Sequence, residues 1–560
     1  MTRRGMGKVQ TLRCFQRRMN IYLSLCVLLL LAFPASAEPM WRYGIKSGDT
    51  LIGIAAEYLS KPKAWPRLQT LNRITDPKRL VPGAQLLIPV ALLRQNAVAA
   101  QVIHLRGKAT HTPSCAAPQP LLSDVPLQVG DTIETGPDSS VSMRFVDGTR
   151  LLLAPNSRIV LSQMILFGKT GMAQTILGLQ RGHVETQAAK QQQPAARYEI
   201  KTRALNLTVR GTEFHTHVED NVQATTRIAV LEGGVQASNP QHKRNHVTVP
   251  AGFGTSAAVG AKPSKPIKLT AAPNLAHAPT RIERLPLSFP WPAQPGIERY
   301  RAQVFSGSAF DILELDSAFQ GHAAKWEDLP DGRYQLRVRA IDAQGLEGLT
   351  AKHVFVLKAR PEPPFIVAPE QAQKVYGPKT TFSWSKVNVA EHYHFQLSTQ
   401  ADFTQTLVNL PTLAAVSSTL DLAPGRYYWR IASIAIGNDH GPFSDVQSFT
   451  QKKIPESPVL EPPQISDKEL VIRWRAAEAG STYRLQFARD AAFSSDVQEQ
   501  VLDQNIAKLD QPKPGLHFFR IQTIDSDGFA GPYGAAHQLE VPAPPSQPWW
   551  LFLLLIPLAL

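Results

Sequence analysis

Two histidine pairs, His215-x-His217 and His392-x-His394, are spaced to do chemistry. Each lies in a segment that reads as a strand, where residues two apart share a face, so each pair could begin a zinc site. No third ligand lies close in sequence, and no metal is expected. Asp525-Ser526-Asp527-Gly528 has the spacing that opens a calcium loop, but the distal Glu is missing, so a turn is expected. Cys115 lies in a Pro/Ala stretch with His111 nearby, which is too little for a nucleophile. The chain has no phosphate-binding Gly-x-x-x-x-Gly-Lys loop, no Gly-x-Ser-x-Gly elbow and no His-Glu-x-x-His. The expectation is a protein that binds rather than catalyses, with no catalytic residue and no cofactor.

The 560 residues are enough for several cores. Of the 59 basic residues, six (Arg3, Arg4, Lys8, Arg13, Arg17 and Arg18) fall in residues 1–37, which hold no acid. The net charge of +14 therefore becomes +8 for the rest. No long basic run remains, so no nucleic-acid partner is expected. The basic start, the apolar run Ile21 to Phe33 and Ala35-Ser36-Ala37 read as a secretory signal peptide over 1–37, cut before Glu38. Two of the three cysteines lie in that leader, so no internal disulfide is expected. Residues 542–560 form a Pro-rich segment with Trp549-Trp550 and a short apolar tail. The tail is too short to span a bilayer but is a candidate for weak membrane association.

Residues 40–90 read as strand, helix, helix, strand. Ser47-Gly48-Asp49-Thr50 is a turn in which Asp49 or Thr50 can cap a helix, and Leu51, Ile54, Ala55 and Tyr58 follow at helical spacing. Pro62 breaks that helix. A second follows through Trp65, Leu68, Leu71 and Asn72, and Pro82-Gly83 turns into a closing strand, Gln85 to Pro89. The stretches Tyr43 to Leu51, Ile54-Ala55, Leu71-Asn72, Pro82 to Leu86 and Ile88-Pro89 together resemble the LysM domain. The resemblance implies binding of N-acetylglucosamine chains, chiefly peptidoglycan or chitin. It places the groove at Gly48, Asp49, Thr50, Leu51 and Ile52 on one loop and Asn72, Ile74, Thr75 and Asp76 on the other. Backbone amides at the Gly turn would hold N-acetyl groups, and Leu51 and Ile74 would cover sugar faces.

Residues 101–260 alternate as short strands, most clearly Ser140 to Val146, the turn Asp147-Gly148 and the return Arg150 to Leu153. The motifs Val129-Gly130-Asp131-Thr132, Val146-Asp147-Gly148-Thr149, Val209-Arg210-Gly211-Thr212-Glu213-Phe214, Val230-Leu231-Glu232-Gly233-Gly234 and Val249-Pro250-Ala251-Gly252 resemble the FecR domain, in family order. That resemblance implies an extracytoplasmic β-domain that binds a protein or ligand. Its best-known members serve iron-uptake signalling through a cytoplasmic segment, where this chain has the leader instead. Arg210 and Glu213 read as a turn-stabilising ion pair.

Residues 261–286 read as a linker. Beyond it a repeat can be counted: Trp291, Trp384 and Trp474; Tyr300, Tyr393 and Tyr483; Gly332, Gly425 and Gly515; Arg337, Arg430 and Arg520 all keep spacings of 93 and 90. A period near 90 with short strands predicts three tandem β-sandwiches, at 287–360, 361–453 and 454–541. The Leu-x-x-Gly-x-Tyr corners at Leu329 to Tyr334 and Leu422 to Tyr427 resemble fibronectin type III or immunoglobulin-like domains, and His517 replaces the third Tyr. The fold expected is multidomain and mainly all-β: a small βααβ LysM module, a β-rich FecR-like domain and three sandwiches. The function expected is a noncatalytic bacterial envelope protein, exported to the periplasm, that binds peptidoglycan and presents surfaces to an envelope protein partner as scaffold or sensor. The alternatives are a periplasmic signalling regulator working with a membrane partner, and a cell-wall hydrolase or its accessory.

Overall fold

A computed structural model describes residues 38–190, 193, 196–242, 244–306, 312–466 and 468–543. The expected leader and apolar tail lie outside the described residues. Among those described, no helix is long and apolar enough to cross a membrane. The chain divides into two compact units between Lys358 and Ala359.

In the first unit, the strand Met40–Gly44 pairs antiparallel with Gln85–Pro89 and two helices pack on that ribbon. The first, Leu51–Tyr58, starts where the Thr50 side chain accepts from Gly53 N at 3.0 Å. Its apolar stripe, Leu51, Ile54, Ala55 and Tyr58, is buried. The second, Trp65–Asn72, ends at Arg73, which takes the left-handed conformation (φ 53) and returns its N–H to the last turn. Trp41, Tyr43 and Tyr58 cluster with ring centroids 5.0 to 5.5 Å apart. This core closes on Phe167 and Met172, which belong to the next domain. The connector after residue 90 is short and tight: Arg94 N donates to Tyr58 O at 2.8 Å and Ser60 N to Leu92 O at 2.9 Å.

From Gln95 to Lys268, strands pair side by side and close on themselves around one apolar core. The alternation at Ser140–Arg144 and Arg150–Leu153 forms the expected hairpin. The long strands Arg158–Phe167 and Ala173–Gln187 form the hairpin whose tip carries Phe167 and Met172. Gly182 (φ 89) is required within it, because a Cβ there would fall 2.2 Å from Ser157 Oγ. The expected turn pair is not made: no ion pair joins Arg210 to Glu213 among the described residues. The turn rests instead on Gly211 (φ 65), against the stem of Lys190.

Each of the three repeats is a β-sandwich built on the same contacts. Trp291, Trp384 and Trp474 are buried edge-on to Tyr300, Tyr393 and Tyr483, with centroids 5.2, 5.7 and 5.2 Å apart. Each Tyr hydroxyl accepts from a backbone N–H six residues earlier, at 3.2, 3.0 and 2.7 Å. At the corner, Tyr334 and Tyr427 donate to the carbonyls of Pro330 and Ala423. In the third unit His517 Nε2 donates likewise to Lys513 O at 2.7 Å, so the histidine keeps the tyrosine's hydrogen bond.

The segment expected as a linker, 261–286, is not a free tether. Leu269, Leu275 and Ala278 are buried, and Arg281–Ile282 joins the first sandwich's sheet beside Ala351–Leu357. The repeat explains why. A Cβ on Gly348, Gly441 or Gly531 would lie 2.6, 2.0 or 2.2 Å from a carbonyl oxygen of the chain that enters its sandwich, that of Thr270, Pro361 and Pro455 respectively. The first sandwich therefore begins near Thr270, in an extended Pro- and Ala-containing segment without apolar periodicity.

In the second unit, the sandwiches beginning at Pro361 and Pro455 are clasped together. Tyr376 stacks on Phe529 (3.8 Å between centroids) and donates to Asp525 Oδ2 at 2.6 Å, while Lys374 and Lys452 pair with Asp527. The Asp525 to Gly528 turn thus serves as a junction for lysines and a tyrosine.

Candidate functional site

The two loops expected to form the glycan groove do meet. Leu51 N donates to Pro77 O at 2.9 Å, tying the start of the first helix to the residue that follows the second loop. The nine residues then separate by role. Gly48 is exposed at φ 86 with open space around it, so its backbone can be approached closely. Asp49 Oδ2 accepts from Lys46 N at 2.7 Å and from Tyr43 Oη at 2.8 Å, fixing the turn. Burial and then Asp49 push the Tyr43 phenol far above its usual range, so it remains a neutral donor. Thr50 is the helix cap.

Leu51 corrects the expectation. It is fully buried and covers no sugar, because it heads the apolar stripe of the helix; the outward residue is Ile52, 45 % exposed. Asn72 is spent on structure: its Nδ2 donates to Leu68 O and Leu87 O, and its Oδ1 accepts from Leu87 N at 2.7 Å. Ile74 is half-buried against the module's core. Thr75 and Asp76 are exposed, with Asp76 Oδ1 accepting from Lys78 N at 2.8 Å. The open rim is thus Gly48, Ile52, Thr75 and Asp76, a small apolar face flanked by backbone and polar groups. Such a surface can seat one face of a sugar and hydrogen-bond its substituents.

A second concentration of polar groups is buried between the Gln95 to Lys268 domain and the first sandwich. Glu185, fully buried, is forked by Arg339, with Nη1 to Oε1 at 2.9 Å and Nη2 to Oε2 at 3.0 Å, and accepts from Gln303 Nε2 at 2.8 Å. Arg301 pairs with Asp316 and reaches Glu347 at 3.1 Å. Burial opposes ionisation of Glu185, but Arg339 and then His215 outweigh it and hold the carboxyl well below its usual range. Burial likewise opposes charge on Glu347, and His183 and Arg301 overcome it. Burial, reinforced by Arg339, pushes His215 down to about 4; burial and His183 do the same to His217. Sequence reasoning missed Glu185, Arg339 and Glu347. The available signal was His183-x-Glu185, which repeats the one-face spacing of His215-x-His217. Elsewhere His111 is buried against Asp131 at 2.8 Å and turned to that partner, Cys115 is exposed, and His394 bonds His440 and Asn409.

Comparison with known proteins places two modules. Residues 43–89 match the family model of the LysM domain, and residues 131–236 match that of the FecR protein. No curated protein sequence is significantly similar to the chain. Among solved structures, the chain is similar to the chicken CNTN1 FN1-FN3 domains, at 15% identity, covering 46% of this chain and 94% of that one, with a TM-score of 0.23. It is also similar to two structures of a putative anti-sigma factor from Parabacteroides distasonis. These are 12% and 9% identical, cover 24% and 34% of this chain and 58% and 84% of theirs, and have TM-scores of 0.20 and 0.21.

Proposed function

We propose that this chain, which carries a LysM domain and a FecR domain, is a noncatalytic protein of the bacterial cell envelope. It holds peptidoglycan in the LysM groove and presents its FecR and sandwich surfaces to an envelope protein partner. LysM domains bind peptidoglycan, and one observation carries the reading to this chain: the Leu51–Pro77 hydrogen bond holds the two groove loops side by side, with Ile52 and Thr75 open on the rim. The leader read at 1–37 supports export to the periplasm. A second reading, a periplasmic signalling regulator that passes a wall-bound state to a membrane partner, is favoured by the contact of the LysM core with Phe167 and Met172 of the FecR domain's hairpin.

The test is co-sedimentation of the full chain with purified peptidoglycan, comparing Ile52→Asp/Thr75→Arg with the natural protein. Deleting the LysM module would uncover Phe167 and Met172 and confuse loss of binding with loss of fold, so point changes on the rim are the cleaner perturbation. Loss of pelleting with an unchanged melting curve supports the reading. Unchanged pelleting overturns the groove assignment, and a clearing zone in a peptidoglycan gel would favour the hydrolase alternative.

A further inference from the structure

The buried polar centre between the FecR domain and the first sandwich contains four ring nitrogens without a hydrogen bond: Nδ1 and Nε2 of both His183 and His215. Both residues are almost wholly buried, at 3% and 2% exposure. Orphaned buried donors and acceptors are costly, and four in one place call for a partner. The nearest groups are two carboxylates. His183 Nε2 lies 3.7 Å from Glu185 Oε1 and His215 Nε2 lies 3.8 Å from Glu185 Oε2; Glu347 Oε1 and Oε2 lie 3.6 and 3.5 Å from Nδ1 of His183 and of His215. These distances are too long for hydrogen bonds. The 3.8 Å between His215 Nε2 and Glu185 Oε2 approaches the separation of neighbouring ligand atoms around a tetrahedral zinc, roughly 3.4 Å for metal–ligand bonds near 2.1 Å.

We propose that His183, Glu185 and His215 bind a first-row divalent cation of the zinc class. One ligand atom from each already lies within 4.8 Å of the others. The register makes this possible: His183 and Glu185 on Ala173–Gln187 stand opposite His217 and His215 on Glu213–Val218, so the side chains share one face. Glu185 Oε1 is taken by Arg339 and Gln303, while Oε2 accepts from Arg339 alone and keeps a lone pair. Glu347, from the first sandwich, faces both Nδ1 atoms. With Nε2 on the metal, it is the carboxylate that would receive both Nδ1–H groups as the centre tightens around the ion, the usual outer partner of a metal-bound histidine.

Charge and space agree. Glu185, Glu347 and Asp316 against Arg301 and Arg339 leave one negative charge buried, and neighbouring Glu219 and Arg227 cancel each other at 2.6 Å. A cavity of about 10 Å³ bordered by His183, His215, His217 and Glu347 has room for one water as a fourth ligand. A cleft of about 340 Å³ shares His217, Arg227 and Glu347 with that cavity and offers a route in from solvent.

The test is titration of the metal-stripped full chain with zinc against a chromophoric chelator, and with cobalt(II) followed by visible absorption. One equivalent is expected to bind, and cobalt to take on four-coordinate d–d bands. His183→Gln and His215→Gln should each weaken zinc by tenfold or more, Glu347→Gln by about 10- to 100-fold, and the exposed His246→Gln, outside the centre, should leave affinity unchanged. Zinc binding that survives both His183→Gln and His215→Gln would overturn the site. So would a natural protein that takes up no zinc and leaves cobalt with its hydrated spectrum, a result that does not depend on any variant folding.

Discussion

Replacing Arg339 by Met should loosen the seam between the FecR domain and the first sandwich more than any single change on the surface. The guanidinium is 2% exposed as a side chain and its partner Glu185 is 0% exposed. It donates to both Glu185 oxygens, to Gln303 Oε1 at 3.0 Å, to Glu347 Oε2 at 3.3 Å and, through Nε, to Thr350 Oγ1 at 2.8 Å. Removing one partner of a buried pair leaves the other charge uncompensated and costs about 3–5 kcal/mol. At about 1.4 kcal/mol per factor of ten, amide exchange in the flanking strands should quicken by roughly two to four powers of ten if they open through this seam. Hydrogen exchange read by mass spectrometry on peptides from Ala173–Gln187 and Gly332–Ile341 measures it. The partners are unequal: Glu185→Met leaves Arg339 with Gln303, Glu347 and Thr350, whereas Arg339→Met leaves Glu185 with the one hydrogen bond from Gln303 and the two histidines at 3.7 and 3.8 Å. Arg339→Met should therefore be the worse single change, and the double change should recover much of its cost. Strictly additive effects, or exchange within threefold of the natural protein in Arg339→Met, would refute the reasoning.

Three further outcomes follow from other contacts. Leu51→Ala should cost about 2–5 kcal/mol of LysM stability, as a fully buried leucine does, while Ile52→Asp should leave the melting temperature of the full chain nearly unchanged; differential scanning calorimetry separates them. Asp527 is held down from 3.8 to about 2 by Lys374 and Lys452, so the clasp it makes is fully present above about pH 4 and is lost as pH falls towards 2. Exchange of peptides spanning residues 373–376 and 525–529 should rise in that window, and Asp527→Asn should reduce the pH dependence, leaving the part set by Asp525, which pairs with Lys452 and Tyr376. His517→Phe should cost about 1 kcal/mol through the lost hydrogen bond to Lys513 O, and His517→Tyr should cost less; urea unfolding followed by tryptophan fluorescence reads the difference.

Much of this architecture was legible in local pattern. The Thr50 cap, the stripe Leu51, Ile54, Ala55 and Tyr58, and the break at Pro62 specify the first helix, which runs Leu51–Tyr58 as expected. The same stripe already placed Leu51 inward and Ile52 outward, so its assignment to the sugar face conflicted with the helix period. Constant spacings exposed the three sandwiches, but the edge segment that opens the first is held by backbone pairing and a glycine contact, which leave no apolar rhythm to read. The buried polar centre was the least legible part. Arg339 stands 154 residues from Glu185, and strand alternation shows which side chains share a face without showing what that face meets.

The LysM module has no slack behind it. The end of its first helix is hydrogen-bonded to its connector, Ser60 N donating to Leu92 O and Arg94 N to Tyr58 O, and Lys169 of the neighbouring hairpin reaches Glu57 at 3.1 Å. A pull applied at the glycan groove is therefore delivered directly to the Arg158–Phe167 and Ala173–Gln187 hairpin, the same hairpin whose far end carries His183 and Glu185. On the proposed wall-binding reading, tension at the groove would enter the first unit along those two long strands.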